Sequence, residues 1–99
     1  LSSICKLEIL PQYVFRNSNP AIFGVRVLGG KAKIGINLIN ERGEEIARIK
    51  SLELDKKSVE EAFEGQELAM SLPGTTFDRQ LKEVKIVFSF VPLVLVQNF

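Results

Sequence analysis

The sequence predicts an all-β domain: a small antiparallel barrel, closed or partly closed, similar in scale to a single globular module. Three observations carry that prediction. Apolar and polar residues alternate with period two over most of the chain, turn-forming residues interrupt those stretches at short spacing, and one stretch alone, residues 58–64, reads as helix. Six or more short strands separated by turn signals belong to a barrel or sandwich, and closing the sheet removes exposed edges.

The chain is organised around residues 9–27, an apolar run, a polar break at Arg16-Asn17-Ser18-Asn19-Pro20, and a second apolar run. Residues 4–10 alternate, with Cys5, Leu7 and Ile9 on one face and Lys6 and Glu8 on the other, the pattern of a half-buried strand. Pro11 has no amide proton for a ladder and is expected to stop the pairing. Tyr13, Val14 and Phe15 have high β-propensity and form a short second strand, with Phe15 expected in the core. After the break, Ala21, Phe23, Val25 and Val27 share one face, and Ile22, Gly24 and Arg26 the other. Gly24 stands mid-strand, where it weakens pairing unless a bulge or a close backbone approach requires it.

Gly29-Gly30 signals a turn. Residues 33–40 alternate again, with Ile34, Ile36 and Leu38 inward. Asn40-Glu41-Arg42-Gly43 is a short hairpin connection whose glycine takes a positive φ, and residues 45–51 return as a strand with Ala47 and Ile49 inward. Leu52 and Leu54 fall on the opposite parity, which predicts a bulge. Ser58 as N-cap, Glu61 as its capping-box partner and Gly65 as terminator predict one or two helical turns over 58–64. So short a helix must be pinned by Val59, Ala62 and Phe63. Residues 66–72 form a strand with Leu68, Met70 and Leu72 inward, and Pro73-Gly74 is the centre of a type II turn. Residues 84–90 alternate with Val84, Ile86, Phe88 and Phe90 on one face; Pro92 breaks that strand, and residues 93–96 are apolar on both faces.

Ninety-nine residues make one domain over 1–99, with the tail 91–99 left unassigned. A chain of this size buries roughly two-thirds of its unfolded surface, enough for one core. Its 45% hydrophobic and 25% charged residues exclude a disordered chain. The single cysteine, Cys5, rules out an internal disulfide and fits a reducing, cytoplasmic setting. No basic region precedes an apolar run at the start, and no stretch reaches the ~18 apolar residues of a membrane span, so no membrane is expected. The net charge of +1 conceals a dipole: residues 1–40 hold five basic residues and one acidic residue, residues 41–67 five basic and nine acidic.

The residues that carry chemistry are few. There is no GxxxxGK[ST] loop and no GxGxxG. With no histidine, zinc ligation by Cys and His is excluded by count, and a Cys5 nucleophile lacks its usual base. Glu60 and Glu61, with Glu64 and Glu67 nearby, read as solvated acids of a helical turn rather than a catalytic pair. The expectation is therefore a binding module, not an enzyme, without metal or cofactor. Arg16, Arg26, Lys31, Lys33 and Arg79 supply cations for RNA phosphates, and Tyr13 and Phe15 offer stacking surface.

The run KLEILPQYVFRNSNPAIFGVRVLGGKAKIGINL resembles the fourth domain of the archaeal and eukaryotic translation initiation factor homologous to bacterial initiation factor two. So does IARIKSLELDKKSVEEAFEGQELAMSL, and Arg79-Gln80 is similar to that family's Gly-Arg-Gln segment, with Asp78 in place of its Gly. The resemblance implies a barrel similar to domain 2 of translational GTPases, taken from a multidomain GTPase that promotes ribosomal subunit joining and whose nucleotide site lies in another domain. It implies protein biosynthesis in the cytoplasm and contacts with the initiator tRNA acceptor end, the ribosome and the factor's other domains. Of the pocket positions of bacterial relatives, Gly24 and Glu67 match. Val25 stands where they have Cys, Leu54 where they have Arg and Ala69 where they have Gly, departures that fit unformylated methionyl initiator tRNA. The RNA-binding set expected from residues and resemblance together is Arg16, Asn17, Gly24, Val25, Arg26 and Glu67. Arg16 and Arg26 meet phosphates, Gly24 admits a close backbone approach, and Glu67 accepts from a ribose hydroxyl or the aminoacyl amine. The alternative is a protein-interaction barrel that docks a basic partner or ribosomal component through the acidic segment 53–67.

Overall fold

The structure, a computed structural model, describes residues 5–89. They form β1 (Cys5–Arg16), β2 (Ala21–Lys33), β3 (Asn37–Ile39), β4 (Glu45–Arg48), β5 (Ser51–Leu54), β6 (Lys57–Val59), β7 (Glu61–Phe63), β8 (Glu67–Leu72), a short helix α1 (Phe77–Gln80) and β9 (Ile86–Ser89). The strands pair in the order β4-β3-β9-β1-β2-β8-β5-β6, with β7 on the far end of β2, and every pairing is antiparallel. The all-β architecture read from the alternation is therefore the one observed, as a curled antiparallel half-barrel with one small helix. Its ends are tied by the connection between β4 and β5, where Ile49 N–H donates to Ile36 O (2.9 Å) and Lys50 N–H to Ser71 O (3.0 Å).

Period-two alternation places Cys5, Leu7 and Ile9, then Ala21, Phe23, Val25 and Val27, then Leu68, Met70 and Leu72 in one core. Phe77 of α1 closes the core against Phe23, ring centroids 5.3 Å apart. Asn40 builds the β3–β4 hairpin as expected: its Oδ1 accepts the N–H groups of Arg42 and Glu44, and Gly43 has φ 83°. Gly74, at φ 68°, likewise takes the turn conformation expected after Pro73.

Several elements differ from expectation, each for a physical reason. Residues 58–64 are not helical. Lys57–Val59 pairs with β5 and Glu61–Phe63 with β2, because so short a segment nucleates a helix poorly while two neighbouring edges satisfy the same backbone groups. The β5–β6 hairpin turns on Asp55 (φ 53°) and Lys56 (φ 67°), both in the left-handed region that a tight hairpin demands. The helix lies instead at Phe77–Gln80, where Gln80 Oε1 accepts the N–H of Thr76 (2.7 Å). Pro11 does not end β1. Leu10 pairs with Gly24 and the next pair is Val14 with Phe23, so Pro11, Gln12 and Tyr13 bulge out and the strand continues.

That three-residue bulge reverses the strand's facing. Phe15 therefore stands 65% exposed rather than in the core. Gly29-Gly30 is a bend within β2, not a turn: Gly30 (φ 72°) carries the strand from its pairing with β1 to its pairing with β7. Ile34 lies exposed in the turn at Gly35. The phase shift before Leu52 is a break between β4 and β5 rather than a bulge. In β9 the inward residues are Val87 and Ser89, not Ile86 and Phe88. Val87 pairs with the buried Leu7 and must face the same side, so register overrides hydrophobicity. The expectations for Phe90 and residues 91–99 lie outside the described residues.

Candidate functional site

The outer face of β1, β2, β8 and β5 carries a trough of about 650 Å³. Its floor follows from side-chain size on one parity. Gly24 pairs with Ala69, Ile22 with Ser71, Ser71 with Ser51 and Ala69 with Glu53, so three adjacent strands present mostly small groups side by side. The bulge at Pro11 supplies a wall by lifting Tyr13 and Phe15 over that floor, half-exposed and mostly exposed respectively. Glu53, Asp55, Lys56 and Glu67 line the rest. The trough thus joins an apolar floor and aromatic wall to three carboxylates and one ammonium.

Gly24 meets its neighbour within the chain. A Cβ there would lie 2.9 Å from Tyr13 Cβ, so the missing side chain lets the bulged segment settle onto β2. Arg26 lies directly across from Glu8 on β1 and Glu67 on β8. Its Nε and Nη2 donate to Glu67 Oε2, Nε at 2.8 Å, and Nη1 donates to Glu8 Oε1 at 3.5 Å. The hydrogen bond and charge of Glu67 raise the Arg26 pKa above its ordinary value.

The structure brings Gly24 and Glu67 together in the trough, with Arg26 just behind Glu67. It does not bring the other expected residues there. Val25 points the opposite way, fully buried in the core. Leu54, on the position compared with the bacterial Arg, packs against the core while its neighbours Glu53 and Asp55 line the trough. Asn17 is occupied structurally: its carbonyl accepts Phe77 N–H (2.7 Å) and its Oδ1 accepts Asp78 N–H (3.0 Å), fixing α1 to the loop after β1. Arg16 is exposed at the end of β1, with Nε donating to Ser18 O at 3.0 Å. Lys31 is engaged by Glu61 at 3.1 Å. Sequence reasoning missed Ser51 and Ser71, met Ala69 only as a departure from the relatives' pocket, and met Glu53 and Asp55 only as part of an acidic segment. Their small or acidic character at one parity is visible in the sequence, but only the register of β5 against β8 makes them neighbours. The acidic segment 53–67 forms no single face: Glu53 and Asp55 edge the trough, and Glu61 pairs with Lys31 on the other side of a hairpin. Among the described residues no cluster of metal-binding side chains occurs, and no helix is long and apolar enough to cross a membrane.

A curled antiparallel half-barrel with an open trough on its outer face defines the class as a small β-barrel module. The chain belongs to the family described as Elongation factor Tu domain 4, whose pattern matches residues 4–88. It is similar to a "Probable translation initiation factor IF-2" of Methanoculleus marisnigri, with 47% identity over 76 residues, 77% of this chain and 13% of that protein. It is also similar to a protein of the same description from Pyrobaculum neutrophilum, 44% identical over 88 residues, 88% of this chain and 15% of that protein. The crystal structure of GDP-bound aIF5B from Aeropyrum pernix superposes with a TM-score of 0.86 at 37% identity, covering 98% of this chain and 17% of that one. The chain therefore corresponds to a C-terminal domain of a factor of the IF-2 type, and spans about one-seventh of the length of these relatives.

Proposed function

We propose that this barrel is the module of a translation initiation factor that receives the aminoacylated acceptor end of initiator tRNA, with the trough as its seat. The observation that carries the reading is the pairing of an apolar, small-residue floor with the carboxylates of Glu53, Asp55 and Glu67. An unbranched apolar side chain fits that floor, and a free α-ammonium is attracted to that rim. Tyr13 and Phe15 offer faces on which a terminal base stacks. Arg16, exposed and next to Phe15, is placed to meet a phosphate, a contact that positions RNA without identifying it. The mechanism is recognition, not catalysis. The GTP site then belongs to another domain of an intact cytoplasmic factor, which acts with this module on the ribosome in subunit joining.

The test is a salt-titrated binding assay of the full chain with methionyl and deacylated initiator tRNA. The methionyl form is expected to bind more tightly. Arg16→Ala is expected to weaken both forms alike and to reduce the slope of log affinity against log salt by about 0.7, one phosphate's share for a single strand. Equal affinity of the unsubstituted chain for the two tRNAs rejects the trough as the seat.

A further inference from the structure

We infer that Arg26 is a positioning residue for Glu67, held by Glu8, and that this three-strand ladder makes the trough selective for an acyl group bearing a free α-ammonium. The inference rests on the proposed seat of the aminoacyl end but concerns a residue whose cationic charge otherwise suggests a phosphate contact. Three observations support it. First, Arg26 is not among the residues lining the trough, whereas Glu67 is. Second, Nε and Nη2 of Arg26 converge on one oxygen, Glu67 Oε2, and Oε1 accepts no hydrogen bond from a described residue. The carboxylate is thus gripped on one side and left open on the other. Third, Nη1 is occupied by Glu8, so the cation lies between two carboxylates on directly opposed strand positions.

A phosphate approaching Arg26 would meet the two carboxylates that already balance its charge. An ammonium approaching Glu67 displaces nothing. The planar guanidinium matters because its fork fixes the rotation of the carboxylate as well as its charge. A ligand whose amine is acylated brings no positive charge to Oε1 and gains nothing from that arrangement.

Binding of the full chain to methionyl-tRNA and N-acetylmethionyl-tRNA tests this, with salt slopes recorded for each. The unsubstituted chain is expected to favour the free amine by about five-fold, the upper end for an ion pair at a half-exposed site. Glu67→Gln is expected to abolish that preference. Arg26→Gln is expected to lose most of it while the salt slope stays unchanged, and Arg26→Lys, which keeps charge but not the fork, to retain more than Arg26→Gln. A purely structural ion pair would alter stability and leave the amine preference intact. An Arg26→Gln chain with full preference, or one whose slope falls by about 0.7 as for a lost phosphate contact, overturns the inference. So does an unsubstituted chain that prefers methionyl to deacylated tRNA but treats the acetylated form equally; the seat then stands and the amine readout fails. No distinction between methionyl and deacylated tRNA removes the seat itself.

Discussion

Replacing Gly24 with alanine puts a methyl carbon 2.9 Å from Tyr13 Cβ, with Tyr13 Cδ2 and Cγ at 3.4 and 3.5 Å. Optimal carbon–carbon separation is about 3.5–4.0 Å, so the closest contact is short by more than half an ångström. The obstructing atom is a Cβ, fixed to the backbone, and cannot move aside by a rotamer change. Forcing a methyl into such a position costs about 1–3 kcal/mol. Against this, alanine restricts the unfolded chain more than glycine does and returns about 0.4–1 kcal/mol. The net expectation is a loss of about 1–2 kcal/mol, or a fall in Tm of roughly 5–15 °C for a domain of this size. Urea denaturation reads it as a lower midpoint at unchanged slope. The mechanism has a sharper signature in combination. Tyr13→Ala keeps the Cβ and is expected to give no relief in the Gly24→Ala background, whereas Tyr13→Gly removes it and is expected to recover about 1 kcal/mol in the double-mutant cycle. A Gly24→Ala chain as stable as the unsubstituted one, or equal relief from both Tyr13 substitutions, would refute the contact as the reason for this glycine.

Two further outcomes follow from the buried start of β1. Ser89 Oγ accepts the N–H of Cys5 at 3.1 Å, with both residues inside the core; Ser89→Ala orphans that N–H and is expected to cost about 1–3 kcal/mol in the same denaturation assay. Burial pushes the Cys5 thiol from 9.0 to about 11, against a smaller opposing effect of the Ser89 hydrogen bonds. Above pH 9 the unfolded chain therefore releases a proton that the folded chain retains. The Cys5 contribution to stability is complete below pH 9, declines between pH 9 and about 11, and levels beyond. Stability measured from pH 8 to 11 is expected to fall more steeply for the unsubstituted chain than for Cys5→Ala, and identical limbs would remove the thiol as the cause.

Local chemistry was sufficient for much of this domain. Alternation along residues 5–9, 21–27 and 68–72 named the inward faces of three strands, because a pleat repeats every two residues. Asn40 with Gly43, and Pro73 with Gly74, announced their turns, because those side chains and backbone angles act within four residues. The kinship with a factor of the IF-2 type was legible too, since it resides in the order of residues. What the sequence could not decide was anything set by a distant partner. Residues 58–64 carry a helix cap and an acceptable helical pattern, yet β5 and β2 offered their backbone groups better partners. Val87 and Ser89 face inward because Leu7 lies opposite Val87, although Phe88 is the more hydrophobic residue. Phe15 faces out because a bulge three residues long reverses parity. The trough depends on the same kind of information. Gly24, Ala69, Ser71 and Ser51 are unremarkable small residues until three strands align them, and Arg26 reads as a free cation until Glu8 and Glu67 arrive from either side. Pleat, turn and family are properties of neighbouring residues in the chain; facing, floor and charge at the site are properties of which strand comes to lie beside which.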